Sequence, residues 1–380
     1  MFFGMLSKLA MVGKNKSTPT KVEYAPALLN SNDRQIRTIK PGDKVIWGYW
    51  HSGRSSMPGY CEFCVRTWEA RNPGWKVIIL DEASLSTYVQ PEDLPSTFGS
   101  LKVQHQSDIV RLAVLIRFGG VYLDVSTFCL QGFDEIFSAG VQKGGPSLLL
   151  TGPTDGTFHS DPYTRFPNNA LIVARKPGDP ILQEWRRRIL AYSEHPCANV
   201  AEMETHPAFH RVCHLFRDRG LGVLQPSVGY LAYLFLLMDI LGYDEEWSRK
   251  VASGVGLLPT DAWTFDFFVL LDPPRDGTYT WNFTGFVRRL VRFLNVRWGD
   301  NAALADAIRE RVAVVKSSSD GNVEMHKPAE WFVQSQRRTT LARLWRAASD
   351  PESGQPQASL KGLRMWPRGK QMGGRLTYHY

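Results

Sequence analysis

A chain of 380 residues with 43% hydrophobic and 22% charged residues is long enough to bury a large core, which excludes a small disulfide-stapled module. Its five cysteines are an odd number in so long a chain, which favours a reducing compartment and predicts a cytoplasmic protein. The formal net charge of +8 suits an anionic nucleotide, a nucleic acid or an acidic membrane surface. No module that reads nucleic acid is recognisable, so we do not expect that partner.

Strand and helix alternate in the first predicted elements. Residues 1–40 are mostly polar and predict a mobile leader. Residues 45–49 predict a strand, residues 60–71 a helix that ends at Asn72, and residues 75–80 a second strand. This order predicts two parallel strands joined by a right-handed crossover.

The ends of these two strands carry candidate site residues, because ligands of an open α/β sheet bind beyond the carboxyl ends of its strands. Trp47 and Trp50 lie at the end of the first strand, where they either stack on a nucleotide base or belong to the core. Asp81 follows the second strand and either binds a ribose or caps the next helix.

The next helix carries an acid and a base on one face. Ser107 predicts its N-cap, and Asp108 and Arg111 are three residues apart, so they share a face. Gly119 predicts the end of the helix, and the pair with Gly120 predicts a tight turn into a strand.

The strand that follows ends on a carboxylate. Residues 121–128 are rich in β-forming residues, and Asp124 lies where the strand reaches the carboxyl edge of the sheet. The helix and the strand end therefore predict that Asp108, Arg111 and Asp124 converge on one small polar ligand.

Two motifs, S-D-x-x-R at residues 107–111 and G-G-x-Y-x-D-x-S at residues 119–126, resemble the sugar-binding region of DXD-type glycosyltransferases. The resemblance is closest to the capsular polysaccharide synthesis group. It implies an α/β fold with a GT-A-like, Rossmann-type, mostly parallel sheet flanked by helices, with a helical C-terminal lobe. It further implies a hexosyltransferase, of retaining type, that uses a nucleotide diphosphate sugar and a hydroxyl acceptor.

The resemblance also implies roles for single residues. The positions of Asp108 and Arg111 hold the hydroxyls of the donor sugar, and those of Tyr122 and Asp124 contact the nucleoside and the sugar. The second aspartate of the family motif binds a divalent metal, and Ser126 replaces it here. A hydroxyl is a weaker ligand for a hard cation than a carboxylate, so we expect a weakened use of Mn or Mg, held by Asp124 directly or through water.

Further candidates lie in the second half of the chain. Asn168 and Asn169 predict a loop that enters a strand and are acceptor-side candidates by similarity. Lys316 follows a predicted strand and resembles the family's K-x-[ST] segment, which implies a contact with the diphosphate. Asp320 and His326 are candidates for the metal ligand that Ser126 does not supply.

Two segments suggest a membrane or a lipophilic acceptor. Residues 228–243 are the most apolar stretch and predict either a buried helix or one that dips into a membrane. Residues 346–380 form a basic tail, without acidic residues from Leu360 onward, that either lies on an anionic membrane surface or is disordered. We therefore expect a protein that binds peripherally to a membrane and whose acceptor is a glycan, a lipid-linked glycan or a lipophilic product.

The expected organisation is a leader at residues 1–40, a GT-A-like domain at residues 41–345 and the basic tail at residues 346–380. The domain divides into a donor half, residues 41–140, and an acceptor half, residues 141–345. Two other functions stay open. One is a catalytically weak or inactive relative that serves as a binding or scaffold subunit, for which Ser126 is the supporting feature. The other is a nucleotide-sugar hydrolase.

Overall fold

The computed structural model describes residues 39–138, 145–152, 168–213, 225–251, 254–259, 264–266, 302–311, 314–316, 326–334, 339–350 and 364–365. Its strands are β1 (Val45–Tyr49), β2 (Lys76–Leu80), β3 (Gly120–Leu123), β4 (Thr127–Cys129), β5 (Leu148–Gly152), β6 (Asn168–Ala174), β7 (Val255–Pro259), β8 (Thr264–Asp266), β9 (Val314–Lys316) and β10 (Arg364–Met365).

The central sheet has seven strands in the order β10-β7-β5-β6-β3-β1-β2. Strands β1, β2, β3, β5 and β7 run in one direction, and β6 and β10 run in the other. The predicted mostly parallel sheet is therefore confirmed, including the parallel pair β1–β2 on either side of a helix.

The helices are α1 (Gly59–Arg71), α2 (Leu85–Tyr88), α3 (Val103–Phe118), α4 (Asp134–Ser138), α5 (Pro180–Glu194), α6 (Val200–Thr205), α7 (Gln225–Met238), α8 (Glu245–Val251), α9 (Ala302–Arg311), α10 (Ala329–Gln334) and α11 (Thr340–Ser349). Short 3₁₀ turns occur at Arg54–Ser56, Pro91–Asp93, Phe98–Ser100 and Pro207–Phe209, and a π-helical turn occurs at Asp239–Tyr243.

Helices cover both faces of the central sheet. Trp47 of β1 lies in a core shared with α3, α5 and α7, whereas its neighbour Ile46 lies in a second core shared with α1, α4, α9, α10 and α11. Successive residues of a strand point to opposite faces, so this division follows from the pleat. The mixed α/β architecture with flanking helices thus agrees with the prediction.

The C-terminal helices pack directly on α1. Helices α10 and α11 both contact α1, and Phe332 and Trp345 lie in the same core as Phe63. The approach is so close that a Cβ atom on Gly59 would lie 1.9 Å from the backbone oxygen of Lys327. Helix α11 runs across the boundary expected between residues 345 and 346. The leader up to residue 38 and most of the basic tail lie outside the described residues.

Residues 121–128 form two strands rather than one. Strand β3 ends at Leu123, the chain turns, and β4 starts at Thr127 in a separate three-stranded sheet of order β4-β9-β8. The turn is closed by a hydrogen bond from the Thr127 amide to the Asp124 carbonyl at 2.9 Å. Strand β3 thus ends directly before Asp124, as the sequence predicts, and the β-forming residues beyond the turn pair with strands of the other sheet.

The apolar stretch at residues 228–243 contributes to the core from Ala232 onward. It forms most of α7 and the π-helical turn that follows, and Phe235, Leu236 and Ile240 are fully buried. The buried alternative therefore holds, since these side chains pack against protein. None of the described helices combines the length and the apolar character needed to cross a membrane.

Candidate active site

The carboxyl ends of three parallel strands meet at one edge of the central sheet. Strand β1 lies between β2 and β3 and is parallel to both. Trp50, Asp81 and Asp124 each follow the last residue of one of these strands. The edge therefore gathers candidate residues from three separate segments, as the prediction required.

Helix α3 begins one turn earlier than predicted, at Val103. Ser107 is therefore inside the helix and is not its N-cap. Its hydroxyl contacts the Tyr122 hydroxyl at 2.7 Å and accepts a hydrogen bond from Arg111 Nη2 at 3.2 Å. The hydroxyl thus ties α3 to β3, because a serine inside a helix keeps its side chain available for tertiary contacts.

Two glycines allow α3 to reverse directly into β3. Gly119 ends the helix with a φ of +74°, and Gly120 starts the strand with a φ of +101°. A Cβ atom at Gly119 would lie 2.9 Å from the Ala174 carbonyl oxygen, and one at Gly120 would lie 2.5 Å from the Val45 carbonyl oxygen. Only glycine combines this backbone conformation with such close packing, and the tight reversal brings the acid and base of α3 beside the end of β3.

A cluster of two carboxylates and two cations occupies the edge. Arg111 Nη2 lies 3.0 Å from Asp108 Oδ1 and 3.1 Å from Asp124 Oδ1. Lys316 Nζ forms an ion pair with the other oxygen of Asp124. Asn169 donates from Nδ2 to Asp108 Oδ1 at 2.9 Å, and its carbonyl accepts a hydrogen bond from Arg111. We refer to Asp108, Arg111, Asp124 and Lys316 as the ion cluster.

The arginine of the ion cluster is held in one orientation. Its guanidinium carbon lies 4.6 Å from the centre of the Tyr122 ring, and only 4% of the residue is exposed. The Tyr122 hydroxyl is itself buried, and burial raises its pKa to about 12, so it remains protonated at neutral pH. These contacts fix the plane of the guanidinium, because the donors of arginine form one rigid fork.

The two carboxyl groups of the ion cluster differ in acidity. Burial raises the pKa of Asp108 to about 6, although the charge of Arg111 opposes the shift. Burial also disfavours ionisation of Asp124, but Lys316 and Arg111 hold its pKa below the usual range. Asp124 therefore stays ionised at neutral pH, while Asp108 titrates just below neutrality.

Trp47 and Trp50 have different environments. Trp47 is fully buried, donates from Nε1 to the Gly119 carbonyl at 2.9 Å, and packs edge-on against Tyr88 at 5.3 Å between ring centres. Its assignment as a donor-binding residue is therefore corrected to a core residue. Trp50 is only partly buried, and its Nε1 has no hydrogen-bond partner in the described part of the chain.

His51 is a site residue that sequence reasoning did not single out. Its Nδ1 is buried and has no hydrogen-bond partner among the described residues, and its ring lies 6.0 Å from that of Trp50. The sequence feature that could have pointed to His51 is its position two residues after the end of β1. Two unpaired ring nitrogens at the sheet edge are suited to a polar ligand, because a buried donor without a partner is costly.

Asp81 closes the turn that leads into α2. Its Oδ1 accepts hydrogen bonds from the Ser84 amide and hydroxyl, both at 2.7 Å. This oxygen therefore holds Ser84, the N-cap residue of α2, and closes the turn before the helix without capping the helix itself. The other oxygen, Oδ2, faces Gly53, where a Cβ atom would lie only 3.0 Å away.

The asparagine pair belongs to a strand rather than to a loop. Strand β6 starts at Asn168 and is antiparallel to β3, so its first residues lie at the edge where β3 ends. This pairing places Asn169 next to the ion cluster, where its side chain contacts Asp108. The acceptor-side role of Asn169 stays a prediction. The backbone of Asn168 pairs with Thr151.

The residues at this edge do not fit a divalent metal. One Asp124 oxygen faces Arg111 and the other faces Lys316, and neither cation can act as a metal ligand. Ser126 lies in the turn after β3 and offers only a hydroxyl, and His326 is exposed. No group of three histidine, cysteine, aspartate or glutamate side chains suited to a metal occurs within the described residues. Asp320 lies outside them.

Comparison with known proteins agrees with the motifs. Residues 19–199 match the family described as capsular polysaccharide synthesis protein. The O-glycosyltransferase braB of Annulohypoxylon truncatum is 26% identical over 163 residues, which are 40% of this chain and 38% of that protein. The O-glycosyltransferase PaGT of Phomopsis amygdali is 34% identical over 126 residues, 28% of this chain and 31% of that protein.

A third relative is the initiation-specific alpha-1,6-mannosyltransferase of Candida albicans, 27% identical over 160 residues, 38% of this chain and 42% of that protein. Each match spans less than half of the relative's own length. The resemblance seen in the motifs is confirmed: residues 19–199 are related to the capsular polysaccharide synthesis group and to named glycosyltransferases. Lys316 lies beyond the part of the chain that matches the family.

Proposed function

We propose that this protein is a glycosyltransferase that moves a hexose from a nucleotide diphosphate sugar to a hydroxyl group. The observation that carries the proposal is the ion cluster at the carboxyl edge of a mostly parallel sheet. Kinship with named glycosyltransferases supports the reaction class, and a relative named as a mannosyltransferase supports a hexose donor.

In this proposal the charged residues of α3 and β3 bind the sugar. The Asp108 carboxylate accepts hydrogen bonds from sugar hydroxyls, and the Arg111 guanidinium donates to them. Both residues are about 95% buried, at 5% and 4% exposure, so their orientation is set before the donor arrives. Preorganised polar groups in a buried site act more strongly than the same groups in water.

The nucleoside is assigned to the edge beside β1. Trp50 offers an aromatic face, and the unpaired Nδ1 of His51 offers a hydrogen-bonding atom among the described residues. The diphosphate would then lie between these rings and the ion cluster, within reach of its cations. Lys316 is the more accessible cation, since 19% of its side chain is exposed against 4% for Arg111.

The proposed reaction follows the retaining course that the resemblance implies. The bond between the anomeric carbon and the diphosphate oxygen breaks, and its electron pair stays on that oxygen. The acceptor oxygen attacks from the same face and forms the new bond to the anomeric carbon. Its proton passes to the departing diphosphate, so no protein general base is assigned. Cations beside the diphosphate stabilise the charge that develops there.

Localisation and acceptor are also proposed. All five cysteines lie in the described part of the chain and are free thiols, which supports a cytoplasmic, reducing compartment. An acceptor hydroxyl on a glycan, a lipid-linked glycan or a lipophilic product fits two relatives named as O-glycosyltransferases. Since residues 232–241 of the apolar stretch lie in or against the core, contact with an anionic membrane is proposed on the basic tail alone.

A panel of nucleotide sugars, read first by thermal shift and then by turnover, tests this function. A bound donor raises the melting temperature by mass action, so the matching nucleotide sugar should stand out from the panel. Release of nucleoside diphosphate that requires an added acceptor would support transfer. Release at the same rate without acceptor would favour a nucleotide-sugar hydrolase, and binding without any release would favour an inactive binding subunit.

A further inference from the structure

Because Ser126 replaces the metal-binding aspartate of the DXD-type motif, Asp124 is the carboxylate left to hold a divalent metal, yet its two oxygens already face protein cations. Arg111 Nη2 lies 3.1 Å from Oδ1, and Lys316 forms its ion pair with Oδ2. The second carboxylate of the motif is absent, because Ser126 stands there. The negative charge of Asp124 is therefore already balanced by protein cations, without a metal ion.

The chemistry of these donors argues against a metal at this point. Mg²⁺ and similar hard cations require oxygen ligands, usually with one or two carboxylates. Ammonium and guanidinium groups carry only hydrogen-bond donors and would repel a divalent cation held on the same carboxylate. In the described part of the chain, the motif position after Asp124 offers only the Ser126 hydroxyl, which is a weak ligand.

The fold places Lys316 at this carboxylate through strand pairing. Lys316 is the last residue of β9, and β9 pairs antiparallel with β4 so that Lys316 lies opposite Thr127. Thr127 is tied to Asp124 through the turn hydrogen bond of 2.9 Å. The small sheet therefore fixes the distance between a lysine and an aspartate that are 192 residues apart.

We propose that the Lys316 ammonium takes the place of the divalent cation, and that glycosyl transfer proceeds without Mn or Mg. This inference rests on the proposed function. Asp124 is then a positioning residue that holds Lys316 at the sheet edge. Lys316 is the catalytic residue that contacts the diphosphate, and Arg111 supplies the second, fixed positive charge. As the bond to the anomeric carbon breaks, the electron pair left on the diphosphate oxygen is stabilised by these two cations.

Calorimetric binding of UDP, GDP and ADP to the full chain tests the inference without relying on turnover. Each nucleotide is titrated once in EDTA and once in MnCl₂. For the nucleotide that binds, we expect dissociation constants within about twofold of each other in the two buffers. In EDTA, Lys316→Ala should weaken binding by about tenfold or more, since a charge-assisted contact is lost, and Lys316→Arg should restore most of it.

Lys250→Ala is the matched control, because Lys250 is an exposed lysine paired with Glu246 on α8. It should leave nucleotide binding unchanged, and circular dichroism should show that the Lys316 variants remain folded. Binding by the wild type that needs MnCl₂ would overturn this inference but leave the proposed function standing. Unaltered binding by folded Lys316→Ala would also overturn it. Failure to bind any of the three nucleotides in either buffer would overturn the proposed function and this inference together.

Discussion

The Asn169 amide donates a hydrogen bond to Asp108 Oδ1 at 2.9 Å, which joins two elements that are separated by 61 residues in sequence. Asp108 is on α3, and Asn169 is near the start of β6. The contact exists because β6 runs antiparallel to β3 and begins at the edge where β3 ends. Asn169 and Arg111 therefore hold the same oxygen of the acid of α3, and Arg111 also donates to the Asn169 carbonyl.

Replacement of Asp124 by asparagine should abolish most of the transfer activity. The variant keeps the shape of the side chain but no longer holds Lys316 by charge, so we expect kcat to fall by about a hundredfold. Donor affinity should fall less, because the lost interaction serves mainly the transition state. Steady-state kinetics measure both quantities, and Asp306→Asn, an exposed carboxylate, is the control. Near-normal turnover in Asp124→Asn would contradict the site assignment.

Arg111→Lys should destabilise the fold although it preserves the charge. The guanidinium contacts two carboxylates and the Ser107 hydroxyl at once and lies over the Tyr122 ring. An ammonium group cannot reproduce this planar set of contacts, so we expect a loss of about 2 kcal/mol in the free energy of unfolding. Urea denaturation measures it. Arg187→Lys, whose side chain is 67% exposed, should change stability by much less, and equal effects in the two variants would argue against a buried, multiply bonded Arg111.

Gly120→Ala should destabilise the protein far more than Gly42→Ala. Both glycines have positive φ, at +101° and +89°, so the backbone strain is similar. Only at Gly120 would the new Cβ meet a backbone oxygen, that of Val45, at 2.5 Å. We expect about 1 kcal/mol for Gly42→Ala and about 3 kcal/mol or more for Gly120→Ala. Thermal unfolding compares them, and similar losses in the two variants would contradict the close approach of β3 to β1 at Gly120.

Asp108 should make stability depend on pH in the acidic range. Burial raises its folded-state pKa from 3.8 to about 6, so the folded state binds the proton more tightly than the unfolded state does. The resulting stabilisation is full below pH 3.8 and is lost as the pH rises through about 6. The wild type should therefore lose stability relative to Asp108→Asn between pH 4.5 and pH 7, by roughly 2 kcal/mol. Urea denaturation at both pH values measures the difference, and a constant offset between the two proteins would contradict the raised pKa.

Substitutions of Trp47, within β1, and of Trp50, directly after it, should have opposite effects on stability and on nucleotide binding. Trp47→Phe removes a buried hydrogen bond to Gly119, so it should cost about 1 kcal/mol of stability and leave nucleotide binding unchanged. Trp50→Ala should reduce stability less than Trp47→Phe does. It should weaken nucleotide binding by about tenfold, because the stacking of a base on this ring is lost. Thermal unfolding and calorimetry separate the two effects. Normal nucleotide affinity in Trp50→Ala would remove this ring from the proposed nucleoside site.

Local sequence features determined the first half of the site. The strand, helix and strand of residues 45–80 follow from apolar periodicity and a breaker, and they occur within one or two residues of the predicted bounds. Asp108, Arg111 and Asp124 converge because a helical face, a glycine turn and a strand end are contiguous in sequence. Each of these features depends on neighbours a few residues away, which is the range over which backbone propensities act.

Only the tertiary structure decided how the distant segments meet. Lys316 reaches Asp124 through the pairing of β9 with β4, and Asn169 reaches Asp108 through the pairing of β6 with β3. The side of β1 that carries Trp47 lies in the core because α3 and the residues around Tyr88 cover it. Strand pairing between remote segments depends on the packing of the whole sheet, and the spacing of residues along the chain does not encode it. For that reason the sequence could propose Lys316 as a candidate site residue, but only the tertiary structure shows that it pairs with Asp124.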